Sequence, residues 1–236
     1  MDKKKKEVGT LKILILHGWT YSTDKWSEFI ELLKNKHDVE LLKIPGLTEE
    51  LKEVWNLDNY VDWLKRKVDR EKSKVILIGH SNGGRISLAF TNKYPEKVSK
   101  LVLIDSAGIY HNDLPIRLKR LVFKTVAKIG KNLTSSEKLR KLLYKFSRER
   151  DYYNASPIVK KTMVNLITSD ISQILNQIKI PTLIIWGEKD KTTPLPDGKL
   201  MHQLIKNSKM KIITGAKHSP QFTHPERVVK IIHEYL

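Results

Sequence analysis

The chain has 236 residues, a formal net charge of +18, 40% apolar residues and no cysteine. This length allows one domain with a large core and an excursion from it. The lack of cysteine excludes disulfides, thiolate metal ligands and a cysteine nucleophile. No apolar run approaches the ~18 residues of a membrane-spanning helix. The N-terminal stretch MDKKKKEVGT is basic but lacks the apolar segment of a signal peptide, so the sequence predicts a cytoplasmic protein.

The positive charge is concentrated in one segment, 114–150, where twelve Lys and Arg residues stand against two acidic ones. The sequence contains no zinc-finger spacing, no RNP-type aromatic motif and no repeat. It therefore favours compositional bias over a nucleic-acid partner. A solvated surface is the default interpretation of the basic segment, and peripheral contact with an anionic membrane stays open as an alternative. The oligomeric state is not predicted.

The first half of the chain alternates short apolar runs with amphipathic helical patterns. Helices are predicted to begin near Asp24 and Asp58, which could cap them, and a third covers 83–94. Strands that are apolar throughout and alternate with helices predict an α/β fold with a mostly parallel sheet of about six strands. The four runs that predict strands in this half are 11–16, 39–44, 75–78 and 101–104.

The alternating pattern breaks over residues 111–176, which carry amphipathic helical stretches and no strand pattern. It returns with predicted strands at 183–186 and 211–213 and a final helix at 225–236. An insertion between two strands of a parallel sheet emerges at the carboxyl edge, where such folds bind ligands. The sequence therefore predicts a core formed by 1–110 and 177–236, with a helical cap formed by 111–176.

The stretch VILIGHSNGGRISLAF, residues 75–90, predicts a strand, a tight turn and a helix. Its glycine spacing fits two chemistries, a phosphate-binding loop and a nucleophile elbow of the form Gly79-x-Ser81-x-Gly83. A phosphate loop places Lys and then Ser or Thr after its last glycine, but here an arginine and an isoleucine follow. The elbow needs only a serine at the apex and small residues around it, so the sequence favours Ser81 as a nucleophile.

Two later turns supply the acid and the base that an elbow serine requires. Asp190 and His218 each come just after a predicted strand, in the order Ser, Asp, His that is expected with this elbow. A serine hydroxyl is a weak nucleophile at neutral pH, so the histidine would take its proton and the aspartate would orient the imidazole. Asp105, which also follows a strand, is the alternative acid. His224 is the alternative base, although it stands where the last helix should begin.

Together these motifs resemble the α/β-hydrolase superfamily, in its group of small cap-bearing serine esterases and C–C hydrolases. The resemblance covers nearly the whole chain and implies that the backbone N–H groups of Trp19 and Asn82 stabilise the oxyanion. Two features depart from the family pattern: the opening hairpin of many members is missing, and 44–47 (IPGL) replaces an acidic, glycine-rich turn. The motifs that carry the resemblance are His17-Gly18-Trp19, 79–84, Trp186-Gly187-x-x-Asp190 and His218 with Pro225-Glu226.

The expected activity is hydrolysis of a small-molecule carboxylic ester or lactone through an acyl-enzyme. Two alternatives stay open: a C–C bond hydrolase of the meta-cleavage type, and a ligand sensor with slow turnover on the same fold. The first often has an aromatic residue after the histidine, whereas Ser219, Pro220 and Gln221 follow here. This chemistry needs neither a cofactor nor a metal, and no histidine pair has the H-E-x-x-H spacing of a zinc hydrolase.

Overall fold

The computed structural model of the protein describes residues 11–20, 22–110 and 155–236. Six strands within these residues form one parallel sheet in the order β2-β1-β3-β4-β5-β6, which confirms the predicted α/β architecture. Within the described residues, no helix combines the length and the apolar character that a membrane span needs. The strands are β1 (Ile13–Leu16), β2 (Val39–Leu41), β3 (Val75–His80), β4 (Val98–Ile104), β5 (Thr182–Gly187) and β6 (Ser208–Ile213).

Helices connect the strands and cover the sheet. Neither predicted capping aspartate performs that role: Asp24 lies inside the 3-10 turn Asp24–Trp26 that precedes the first helix, and Asn56 rather than Asp58 caps the second. The α-helices of the described residues are α1 (Ser27–Lys34), α2 (Leu57–Val68), α3 (Asn82–Lys93), α4 (Pro157–Thr168), α5 (Leu195–Leu204), α6 (Pro220–Thr223) and α7 (Pro225–Tyr235).

Apolar side chains are buried on both faces of the sheet, as a parallel sheet covered by helices requires. In β1, Ile13 and Ile15 pack on the face covered by α1 and α7. Leu14 and Leu16 point to the opposite face, which α2 and α3 cover. A side-chain period of two therefore divides one apolar run between two cores. This burial fixes the strand positions and with them the loops at the carboxyl edge.

The order in which strands are added to the sheet changes direction between β1 and β3. The chain runs from β1 outward to β2, then returns to β3 on the other side of β1 and continues outward to β6. Loops at the carboxyl ends of β1 and β3 therefore leave in opposite directions and open a crevice, which is where such sheets bind ligands. The predicted nucleophile Ser81 follows β3, and Asp105, Asp190 and His218 follow β4, β5 and β6 in turn.

Part of the predicted cap lies within the described residues and contacts the core. Helix α4 begins after Ser156, whose hydroxyl accepts the Val159 N–H at 3.2 Å. The buried Arg85 guanidinium of α3 donates to the carbonyl of Leu166 in α4, and the Trp55 N–H donates to Thr162 Oγ1 at 3.0 Å. The basic segment 114–150 lies outside the described residues, and the cap boundaries 111–176 stay a prediction.

Candidate active site

Ser81 stands at a strained turn between β3 and α3. Its backbone has φ 52° and ψ −119°, a conformation that non-glycine residues rarely adopt and that costs of order 1–3 kcal/mol. The Ser81 carbonyl accepts backbone N–H groups of Gly84 at 3.0 Å and Ala107 at 2.9 Å, and these bonds hold the turn. Strain concentrated at a serine on the carboxyl edge is the conformation expected of a nucleophile elbow.

The glycines around Ser81 are required by close packing. A Cβ atom on Gly83 would lie 2.1 Å from the carbonyl oxygen of Leu16 in β1. A Cβ on Gly79 would lie 2.6 Å from Gly84 Cα. No real side chain tolerates either approach, so helix α3 can rest against the strands only with glycine at these positions.

The turn after β1 approaches Ser81 and presents the peptide between Gly18 and Trp19. A Cβ on Gly18 would lie 2.9 Å from the Cβ of Ser81, so the two turns touch. His17 Nδ1 lies 2.7 Å from the Gly18 carbonyl, which can only accept, so this nitrogen carries the proton. Because the peptide is trans and planar, its N–H, which belongs to Trp19, points away from the carbonyl that His17 holds.

His17 is itself fixed by the loop after β2. Its Nε2 lies 3.0 Å from Thr48 Oγ1, which accepts the Ile44 N–H at 2.9 Å and so has its own hydroxyl proton to donate. Burial lowers the pKa of His17, in keeping with a neutral ring that accepts at Nε2. On the other side of Ser81, Asn82 is the first residue of α3, and a helix leaves the N–H of its first residue without an intrahelical acceptor.

His218 and Asp190 are in direct contact. His218 Nδ1 lies 2.7 Å from Asp190 Oδ2, and the Asp190 side chain is fully buried. Burial alone would raise the pKa of Asp190, but hydrogen bonds from His218, Thr193 and Thr192 outweigh it and hold the pKa below its ordinary value. An ionised Asp190 accepts, so Nδ1 of the neutral imidazole carries the proton and Nε2 has the free lone pair.

Thr193 belongs to this arrangement and was not predicted from the sequence. Its hydroxyl lies 2.7 Å from Asp190 Oδ2 and 3.0 Å from the Asp105 carbonyl, while its N–H lies 3.2 Å from Asp190 Oδ1. A local signal exists for the turn only, since an aspartate side chain commonly accepts a backbone N–H two residues on, as Asp190 does from Thr192 at 2.7 Å. These contacts fix the rotamer of Asp190 and leave its Oδ2 facing the histidine.

The alternative acid and base have other partners. The Asp105 carboxylate accepts the Gly187 N–H at 2.7 Å and the Ser219 N–H at 2.8 Å. Burial raises the pKa of Asp105 to about 7 against the effect of these bonds. His224 precedes α7 at its N-terminus, as the sequence predicts, and its Nδ1 lies 2.8 Å from Thr223 Oγ1.

His80 joins the elbow to the histidine loop. Its buried ring lies 4.9 Å from that of His218, centre to centre, and its Nε2 lies 3.2 Å from Ser219 Oγ. Burial lowers the pKa of His80 well below the ordinary value, so the ring is neutral. Since Ser81 is the next residue, these contacts bring the elbow and the His218–Asp190 pair to the same part of the edge.

A metal ion could contact one group of side chains in the described part of the chain. Ligand atoms of His80, Asp105 and His218 lie within 4.8 Å of one another. Both Asp105 oxygens already accept backbone N–H groups, and His218 Nδ1 already contacts Asp190. Internal hydrogen bonds thus account for the closeness of the three residues.

A parallel sheet with a strained serine after its third strand and a histidine–aspartate pair after its last two strands defines the α/β-hydrolase class. The chain belongs to the alpha/beta hydrolase fold family, whose profile matches residues 12–225.

Its relatives include enzymes that act on acyl esters. It is 27% identical to the pimeloyl-[acyl-carrier protein] methyl ester esterase of Wigglesworthia glossinidia brevipalpis, over 97% of this chain and 94% of that protein. It is 25% identical to the monoacylglycerol lipase ABHD6 of Homo sapiens, over 95% of this chain and 74% of that protein. Among solved structures, an alpha/beta hydrolase from the sediment metagenome of the Mar Chica lagoon, Morocco, matches with TM-score 0.70 at 24% identity, over 96% and 90% of the two chains.

Proposed function

We propose that the protein is a serine hydrolase that cleaves a carboxylic ester of an acyl group through an acyl-enzyme at Ser81. The observation that carries the proposal is the strained Ser81 backbone, φ 52°, on the same sheet edge as His218, whose Nδ1 is held by Asp190 at 2.7 Å. A serine at a sharp strand-to-helix turn beside an oriented imidazole fits nucleophilic attack on a carbonyl.

In the acylation step, Ser81 Oγ attacks the ester carbonyl carbon as its proton moves to His218 Nε2. Asp190 accepts from Nδ1 throughout and stabilises the imidazolium that forms. The N–H groups of Trp19 and Asn82 would receive the developing oxyanion, and each such donor is worth about 10²–10³ in rate. The carbon–oxygen bond to the alcohol then breaks, and the alcohol leaves with the proton from Nε2.

In the second step, water replaces the alcohol. His218 Nε2 takes a proton from water, and the hydroxide oxygen attacks the acyl carbon on Ser81. The bond between that carbon and Ser81 Oγ breaks, and the proton returns to the serine. The products are a carboxylic acid and an alcohol, with the enzyme restored and no external reductant or oxidant required.

The substrate class that we propose is an acyl ester with a small alcohol group. The names of two relatives describe such compounds, a methyl ester of a carrier-bound acyl chain and a monoacylglycerol. Three residues of the loops and helices at the carboxyl edge carry buried polar atoms without a partner among the described residues, and these atoms are candidates for contact with a polar group of the substrate. These atoms are Trp19 Nε1, Asn82 Nδ2 and both amide atoms of Gln221.

The test combines a substrate screen with one substitution. Nitrophenyl esters of increasing acyl length and a set of lactones are offered to wild type and to Ser81→Ala. Because the serine supplies the nucleophile, the substitution should reduce ester hydrolysis by about 10⁴-fold or more while the melting temperature stays close to that of wild type. Ser22→Ala, at an exposed serine, is the matched control and should keep full activity.

A serine-directed phosphonate identifies the nucleophile independently of the substrate. Peptide mass mapping of the labelled wild type should place the label on Ser81, and Ser81→Ala should not be labelled. Label on another serine, or undiminished hydrolysis by Ser81→Ala, contradicts the proposal.

A further inference from the structure

Two carboxylates lie at adjacent strand ends in the active site, but only one of them contacts the histidine. Asp190 after β5 bonds to His218, whereas Asp105 after β4 is fully buried and bonds elsewhere. Burying a carboxylate costs free energy unless hydrogen-bond donors or a positive charge stabilise it. The mechanism above leaves Asp105 without a role.

The two oxygens of Asp105 connect two separate segments of the site. Oδ1 accepts the Gly187 N–H at 2.7 Å, at the end of β5 just before the turn that carries Asp190. Oδ2 accepts the Ser219 N–H at 2.8 Å, on the residue directly after His218. One side chain therefore holds the segment of the acid and the segment of the base at a fixed separation.

The two residues joined by the Asp105–Ser219 bond both have strained backbones. Ser219 has φ 87° and Asp105 has φ 43°, both in the left-handed region that favours glycine. Such a conformation persists in a non-glycine residue only when its surroundings hold it there. The Asp105–Ser219 bond holds Ser219 together with the 3.2 Å approach of its hydroxyl to His80 Nε2 and the Phe222 N–H, which donates to the Ser219 carbonyl at 3.1 Å.

We propose that Asp105 is a positioning residue, which aligns His218 with Asp190 by binding the backbone N–H groups of Gly187 and Ser219. The inference rests on the proposed function, because it assumes that His218 is the base. Asp105 acts through these two amides and does not take part in proton transfer. It is distinct from the role of alternative acid, which would require a bond to the imidazole.

Protonation of Asp105 should weaken the connection. Burial raises its pKa to about 7, so the carboxyl changes its charge near neutral pH. The two backbone N–H groups oppose this rise; of the titratable groups that face Asp105, Asp190 adds to it and His218 opposes it. A carboxylate accepts at both oxygens, whereas a protonated carboxyl is a weaker acceptor at the oxygen that bears the proton. Alignment of His218 should therefore improve as the pH rises through this range.

The main test is Asp105→Asn, with Asp24→Asn as a carboxylate-to-amide control at an exposed site. The asparagine amide has one acceptor oxygen, so one of the two backbone N–H groups would face an NH₂ group. We expect kcat per active site to fall about 10- to 100-fold with KM changed less than about twofold, since only alignment for chemistry is lost. Phosphonate labelling of Ser81 should slow by a similar factor.

Active sites are counted with the phosphonate, which separates alignment from folding. A purely structural role for Asp105 would lower the melting temperature and the number of titratable sites but leave kcat per site at the wild-type value, and that result would overturn the proposal. Ser81→Ala, measured alongside, distinguishes the two failures: if it keeps its activity, the proposed function fails as well.

Introducing Ser219→Gly into wild type and into Asp105→Asn tests whether Asp105 acts through the backbone of Ser219. Glycine adopts the left-handed conformation without help, so Asp105→Asn should cost at least about threefold less in the Ser219→Gly background than in wild type. An equal cost in both backgrounds would overturn the assignment through Ser219.

Should Asp105→Asn fail to fold, amide NMR of the wild type supplies the answer. The Gly187 and Ser219 amide resonances should shift together as Asp105 titrates, with a midpoint near 7. Two amides that titrate independently would contradict a shared carboxylate.

Discussion

At the scale of single residues, Asp190 is distinguished from other aspartates by what it accepts. Thr192 and Thr193 donate backbone N–H groups to one of its oxygens, and the Thr193 hydroxyl and His218 share the other. Four donors on one buried carboxylate keep it ionised and fix its rotamer. The side chain is therefore suited to keep a single tautomer of His218.

Asp190→Asn should slow turnover by up to about 10⁴-fold with little effect on the fold. An amide can donate to Nδ1, which would favour the tautomer with the proton on Nε2 and so remove the lone pair that accepts the serine proton. Steady-state kinetics on a nitrophenyl ester measure the loss. Asp105→Asn should cost much less in the same assay, and a reversed order would place the acid after β4.

The sequence predicts the positions of these side chains better than their partners. In a parallel sheet every strand ends at the same edge, so a serine, two aspartates and a histidine that follow strands must lie along that edge. Whether Asp105 or Asp190 contacts His218 depends on loop geometry, on Thr193 and on the left-handed backbone at Ser219. None of these leaves a periodic pattern in the sequence.

At the scale of elements, the site depends on how closely α3 approaches β1. The approach is set by Gly83, where a Cβ would meet the Leu16 and His17 carbonyl oxygens at 2.1 and 2.7 Å. These are backbone atoms in a buried strand and its turn, so they cannot move aside cheaply. Ser81 and the Trp19 peptide share this contact because they lie at the ends of the same two elements.

Gly83→Ala should therefore lower the melting temperature and abolish ester hydrolysis, because α3 must move away from β1. Gly215→Ala is the matched control: its φ is +76°, but nothing lies within 4 Å of the added Cβ. Its cost should be only the backbone strain of about 1–2 kcal/mol, with kcat unchanged. Thermal unfolding and esterase assays of both variants compare a packing clash with a conformational penalty. Full activity of Gly83→Ala would contradict the close approach.

Element boundaries were predicted well where a strand is buried and less well elsewhere. The prediction for β3 begins at Val75, as observed, because the run is apolar there, but the strand continues past the predicted end at Ile78 to the buried His80. β6 extends from Ser208 to Ile213, although only 211–213 was predicted, because this edge strand is largely exposed and carries no continuous apolar run. The start of α2 was misassigned because Asn56 and Asn59 form a reciprocal capping box, and both Asn56 and Asp58 are acceptable caps by type.

At the scale of the whole molecule, two histidines join the two helices that cover one face of the sheet. His37 follows α1 and His233 lies in α7, with ring centres 5.2 Å apart. Each has a buried Nε2 without a partner among the described residues. Burial lowers the pKa of both, with Lys36 and, for His37, the neighbouring His233 adding to the effect.

This pair should make the protein less stable in mild acid. A folded pKa below the unfolded value of about 6.5 means that the unfolded chain binds more protons, so stability is full above that pH and falls as the pH drops toward the folded pKa. His233→Gln should flatten the decline below pH 6.5 in urea unfolding, whereas His202→Gln, at an exposed histidine, should not. Equal pH dependence in the two variants would contradict the role of the pair.

Whether the net charge of +18 affects substrate capture depends on segment 114–150, which carries more than half of it. A charged surface steers anionic substrates only when it borders the entrance, and salt screens the attraction over about 8 Å at physiological ionic strength. If the segment is a solvated surface away from the entrance, its charge should not affect the rate of ester hydrolysis. We therefore expect kcat/KM for a neutral ester to be flat between low and moderate salt, and that for an anionic ester to change less than about twofold.

Substitution of the charged residues tests the same expectation independently of the salt series. Arg117, Lys119 and Arg120 are replaced together by glutamine. Three exposed lysines in or just before the edge strand β6 serve as a control of equal charge: Lys206, Lys209 and Lys211. Both triple variants should hydrolyse neutral and anionic esters at wild-type rates, because neither set would border the entrance. A selective, salt-dependent loss of the anionic ester in the first variant alone would instead place the basic segment at the mouth of the site.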